Sequence, residues 1–227
     1  MIFADRTEAG HALADEVARL LGPIPRAAPL VLALPRGGVL VAAPVARRVG
    51  GELDVVVARK IGAPGQPEFG VGALAEDGSP IFDTQALRAF GHTADDLAGS
   101  VDRERGELHR RIRRYRGDRP APQVAGRTVV LVDDGLATGV TAYAASRWIR
   151  DRRPGRLILA VPVCSPPARD VLAGIADTVV CLHAPPDFHA VGQWYVDFDQ
   201  VEDAQVDRVL NAARAVPARG SGPPAAG

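Results

Sequence analysis

Residues 129–141 read VVLVDDGLATGVT, and no other stretch limits the possible folds of this chain as much. Four apolar, mostly β-branched residues run into Asp133 and Asp134. A loop of small residues follows, Gly135-Leu136-Ala137-Thr138-Gly139, and then an alanine-rich run over 142–149. That order predicts a buried strand, a tight loop and a helix start. In an open α/β sheet such a loop sits at the carboxyl ends of the strands, where ligands bind. Its backbone N–H groups, reinforced by the helix N-terminus, suit a phosphate. Two carboxylates just upstream can accept hydrogen bonds from vicinal hydroxyls. Together these describe a site for a ribose 5-phosphate, against the plainer alternative of a strand-to-helix turn whose aspartates cap a helix.

The segment resembles the signature of type I phosphoribosyltransferases, which bind 5-phosphoribosyl-1-pyrophosphate (PRPP). The resemblance implies that Asp133 and Asp134 hold the ribose 2′ and 3′ hydroxyls. It also implies that Gly135, Leu136, Ala137, Thr138, Gly139 and Thr141 wrap the 5′-phosphate, the Thr138 and Thr141 hydroxyls adding to the backbone donors. Earlier in the chain, the apolar run 30–34 reads as a buried parallel strand ending in Pro35-Arg36-Gly37-Gly38, with a helix over 39–49. In the resembled family the equivalent loop grips the pyrophosphate, often through a non-proline cis peptide. Arg36 is then expected to face pyrophosphate oxygens, Gly37 and Gly38 to let the backbone approach, and the Pro35–Arg36 bond to be cis.

A third strand is expected over 53–58, with Arg59 and Lys60 at its carboxyl end and an irregular, mobile loop over 61–70, where Gly and Pro dominate. The pair is similar to the start of the catalytic loop in adenine and orotate phosphoribosyltransferases, which carry a second lysine that this chain lacks. Lys60 is the sole lysine among 27 basic residues, and a compact ammonium can do what a guanidinium cannot. Arg59 and Lys60 are therefore expected at the pyrophosphate, the alternative being charges that merely guard a strand end.

The rest of the chain alternates strand-like and helical patterns. Asp5 and Glu8 form a capping box for an amphipathic helix over 5–21, which is given no chemical role. Runs at 71–74 and 80–82 flank the turn Glu76-Asp77-Gly78, an expected edge hairpin. A helix from Thr93 onward carries eight arginines against four acids over 101–120. With acids interleaved, that face is read as solvated or subunit-facing, compatible with a homodimer, rather than as a nucleic-acid surface. Further strands are expected at 156–163 and 178–182, and a final helix at 201–215. The fold class expected is α/β: a mainly parallel twisted sheet with helices on both faces, a small hood and an edge hairpin.

Residues 183–199 break the alternation and hold four of the eleven aromatics. Type I phosphoribosyltransferases bind their acceptor under a variable hood, and residues 192–197 resemble that of the 6-oxopurine enzymes. The likeness implies that Trp194 or Tyr195 stacks on a flat base and Asp197 reads its edge; the alternative is that the aromatics pin a loop to the core. Ala137 points the other way: the 6-oxopurine enzymes carry an aspartate there, and an alanine is more like the adenine-specific ones.

Residues 1–216 are read as one domain and 217–227, rich in small residues, Pro and Gly, as a disordered tail. Zero formal net charge, no apolar run near a membrane span, no signal-like start and two unpaired cysteines suggest a cytoplasmic protein that does not contact membranes. The resemblance implies phosphoribosyl transfer from PRPP to a nitrogenous acceptor, a purine or pyrimidine base or related amine. Mg²⁺ is carried by PRPP rather than by a protein metal site. A non-catalytic PRPP sensor on the same fold and a plain nucleotide-binding protein remain alternatives.

Overall fold

The structure is a computed structural model that describes residues 2–22 and 27–215; the tail expected at 217–227 lies outside the described residues. The first half of the chain runs α1 (Arg6–Leu21), β1 (Leu30–Ala33), α2 (Gly37–Val49), β2 (Glu52–Val55), β3 (Arg59–Ala63), β4 (Gln66–Leu74), β5 (Pro80–Phe82) and α3 (Thr84–Ala89). The second half runs α4 (Ala98–Arg116), β6 (Thr128–Val132), α5 (Val140–Asp151), β7 (Arg156–Val163), α6 (Pro166–Ala173), β8 (Thr178–His183) and α7 (Asp203–Ala215).

Five strands pair in parallel in the order β2-β1-β6-β7-β8. Strand residues alternate between two helical layers, as a sheet covered on both faces requires. Val31, Val130 and Ile158 join a core with α1, α2, α4 and α7, while Leu32, Leu131 and Leu159 join a second core with α5 and α6. All six are fully buried. At roughly 1.5–3 kcal/mol per buried aliphatic side chain, these two layers dominate stability.

The chain leaves β1 toward β2 on one side and β6 toward β7 on the other, so the order reverses between β1 and β6. Open α/β sheets bind ligands at such a switch point. Ala33 is in register with Val132, which brings the loops after these two strands out side by side.

Three expectations are corrected. Strand β2 ends at Val55, short of Ala58, because Val57 turns its N–H onto the Glu76 carboxylate at 2.7 Å. Residues 61–70 are not irregular but form most of a hairpin between β3 and β4, closed by Pro64 and by Gly65 at φ +74°. With β5 they make a separate three-stranded antiparallel sheet, so the hairpin is not an edge of the main sheet. No described helix is long and apolar enough to cross a membrane.

Candidate active site

β6 delivers Asp133 and Asp134 to the switch point. The Asp133 carboxylate accepts the Asp134 backbone N–H at 2.9 Å. Burial and the adjacent Asp134 charge push the Asp133 pKa well above the usual carboxylate range. Asp134 is also raised by burial, although its contact with Arg6 opposes the shift. The Arg6 Nε donates to Asp134 Oδ2 at 2.8 Å, with both side chains largely buried.

Beyond the acids the loop reaches Gly139, at φ +73°, which begins α5 with no described side-chain cap. The first amides of a helix have no intrahelical partner, so this end can receive an anion. Thr138 is exposed and Thr141 half-buried at its rim. Leu136 differs from the expected phosphate contact. Its N–H donates to the Val163 carbonyl at 3.0 Å, its carbonyl accepts from Ser165, and its side chain is buried, so it anchors the loop to the end of β7. Gly135 is needed for packing: a Cβ there would lie 2.5 Å from Val191.

The loop after β1 lies against the acids, and its Pro35–Arg36 peptide is cis, as the resemblance implied. Gly37 and Gly38 permit close approach, though to the acid pair: a Cβ on Gly37 would lie 1.9 Å from Asp134 Oδ2, and one on Gly38 2.9 Å from the Val132 carbonyl. Arg36 makes a loose 3.9 Å ion pair with Asp203, whose carboxylate also accepts the Tyr115 hydroxyl at 2.5 Å.

Arg59 and Lys60 separate. Arg59 is turned onto Glu104 of α4, at 2.7 Å. Lys60 is exposed, and its aliphatic stem crosses Gly70, a residue that also lies near Val140 at the start of α5.

The hood contains a helical turn, Val191–Trp194, and is stitched to the N-terminal segment. Phe3 donates to the Trp194 carbonyl and accepts from Val196, both at 2.8 Å. Tyr195 does not present its ring for stacking. It is buried against Phe3 and Phe198, and its hydroxyl donates to the Asp134 carbonyl at 2.6 Å. Trp194 is half-buried, edge-on to His183 at 4.7 Å. Asp197 accepts the Asp199 N–H at 3.1 Å, closing its own turn. Tyr195 thus follows the plainer expectation, holding the loop down. Arg6 was missed altogether: besides Asp134 it donates to the Asp199 carbonyl at 2.9 Å and lies 3.9 Å over the Phe198 ring.

Paired acids and a helix start with no described side-chain cap stand at the switch point of a parallel sheet, the position at which open α/β proteins bind their ligands. The chain belongs to the family described as phosphoribosyl transferase domain, which its residues 4–199 match. Over 212 residues it is 42% identical to "Putative phosphoribosyl transferase Rv0571c" of Mycobacterium tuberculosis strain H37Rv, covering 93% of this chain and 47% of that protein. "Putative phosphoribosyl transferase MT0597" of strain CDC 1551 matches equally. The chain therefore spans about half the length of these relatives. It is also similar to the crystal structure of TT1426 from Thermus thermophilus, with 47% identity, 92% and 98% of the two chains covered and a TM-score of 0.76.

Proposed function

We propose that this chain binds PRPP at the β1/β6 switch point and transfers its phosphoribosyl group to a nitrogenous acceptor, a purine or pyrimidine base or a related amine. The observation that carries the reading is the register of Ala33 with Val132, which sets the cis-peptide loop beside the acid pair. Asp133 and Asp134 accept the ribose hydroxyls. The amides from Ala137 to Thr141, with the Thr138 and Thr141 hydroxyls, hold the 5′-phosphate. Arg36 exchanges its loose contact with Asp203 for the pyrophosphate, and Lys60 reaches it from the hairpin. Mg²⁺ arrives with PRPP as part of the substrate.

In the reaction the bond from the anomeric carbon to the pyrophosphate oxygen breaks and a carbon–nitrogen bond forms. The nitrogen's proton is lost to solvent. The transition state has oxocarbenium character, so the protein's contribution is positioning and charge stabilisation. The sensor alternative gains little from α4. Arg110 and Arg111 pair with Glu107, which Arg110 above all holds at about 2, and Arg114 pairs with Asp203 and Asp207. The test is pyrophosphate release from PRPP with a panel of bases and amines. Turnover with at least one acceptor, lost in Asp133→Asn/Asp134→Asn, is the expected result. PRPP binding without turnover, together with salt-sensitive RNA or DNA binding, would instead make the protein a sensor.

A further inference from the structure

Arg6 lies at the meeting point of three loops that are far apart in sequence. From the first turn of α1 its Nε donates to Asp134 Oδ2 at 2.8 Å and its Nη1 to the Asp199 carbonyl at 2.9 Å. Its guanidinium lies over Phe198, 3.9 Å from the ring centroid, and 6.0 Å from that of Tyr195. Gly37 of the β1 loop packs against the same contact, since a Cβ there would meet both Asp134 Oδ2 and, at 3.0 Å, the Arg6 Nε. The planar fork thus touches the hood and an acid at once, which a lysine's point charge cannot reproduce.

The local physics gives this contact a purpose. A carboxylate that must accept hydrogen bonds from a diol has to be ionised, with one oxygen turned to the ligand. Consecutive carboxylates sheltered from water tend to share a proton instead. A charge-assisted hydrogen bond on Oδ2 holds Asp134 in one rotamer. It also keeps the hood in place over the loop that follows the acids.

We propose that Arg6 is a positioning residue for ribose recognition, fixing Asp134 for the diol and tying the hood to the same carboxylate. This rests on the assignment of PRPP to the switch point, and the experiment separates the two. Binding of PRPP, ribose 5-phosphate and inorganic pyrophosphate is measured by calorimetry for the wild type, Arg6→Gln and Arg6→Lys, with circular dichroism as a check on folding. In Arg6→Gln both ribose-bearing ligands should bind roughly ten- to a hundredfold more weakly, the effect of losing one charge-assisted bond. Pyrophosphate, which has no diol, should bind as to the wild type. Arg6→Lys should recover part of the loss.

The groups facing Asp134 are Arg6 from α1, Asp133 beside it and Tyr195 from the hood, whose hydroxyl is on the Asp134 carbonyl. Arg6 lowers the Asp134 pKa, so its removal raises it, and the deficit in Arg6→Gln should narrow as pH rises and Asp134 ionises. A folded Arg6→Gln protein that binds ribose 5-phosphate like the wild type overturns the proposal. So does one that weakens all three ligands equally, since that marks a general disturbance. Absence of PRPP binding by the wild type would overturn the functional assignment itself, and the proposal with it.

Discussion

Consecutive carboxylates at the end of a buried strand repel each other, and burial removes the water that would screen them. The raised pKa of Asp133 has a definite consequence for stability. Because the folded chain binds this proton more tightly than the unfolded one, stability is lost as pH climbs from the ordinary carboxylate range through the folded value. Asparagine keeps the oxygen that accepts the Asp134 N–H and removes the charge. Asp133→Asn should therefore raise Tm at neutral pH while abolishing PRPP binding. The gain should vanish in acid, where the wild-type carboxyl is protonated. A melting series from about pH 4 to pH 8 checks this, and a Tm that falls at neutral pH would contradict it. These acids were legible in the sequence because the strand and loop around them are local. Arg6 was not, since its partners lie 128 and 193 residues away. The only local sign was a cation in the first turn of a helix, where it opposes the helix dipole and so calls for a partner elsewhere.

At the scale of elements, the sequence misled most over the β3–β4 hairpin. Register shifts between Ile61 and Gly62 and between Gly62 and Ala63 break the two-residue alternation by which a strand is recognised. The closing Pro64-Gly65 looks the same in a hairpin turn as in a loop. What holds this unit to the main sheet was equally hidden: a buried ion pair between Arg116 of α4 and Glu76, at 2.7 Å. Arg116 also donates to the Val55 carbonyl at 3.0 Å, and Glu76 accepts from Val57, so the end of β2, α4 and the β4–β5 turn share one buried network. Removing one partner leaves an uncompensated charge. Glu76→Ala should cost about 3–5 kcal/mol. Denaturant unfolding measures it, and a cost below about 1 kcal/mol would mean that the pair is dispensable. Since the hairpin carries Lys60, pyrophosphate binding should weaken as well.

For the whole molecule, the layered parallel sheet was readable because each strand is a continuous apolar run followed by a helical pattern. The closing of its first layer was not, because the partners of α7 are distant in sequence. Val201, Val206 and Leu210 are buried in the core shared with α1, α2 and α4. At the start of α7, Asp203 draws in the Tyr115 hydroxyl and, at 3.5–3.9 Å, the guanidinium groups of Arg114, Arg110 and Arg36. The helix therefore joins the cover of the sheet to the loop that presents Arg36. Three buried aliphatic side chains at roughly 1.5–3 kcal/mol each amount to about 5–9 kcal/mol, comparable with the whole stability of an ordinary domain, about 5–15 kcal/mol. A chain ended after residue 200 should thus lose its cooperative thermal transition by circular dichroism and expose apolar surface to a hydrophobic dye. If it melted cooperatively within a few degrees of the full chain, α7 would be an appendage and Asp203 would have no part in holding Arg36.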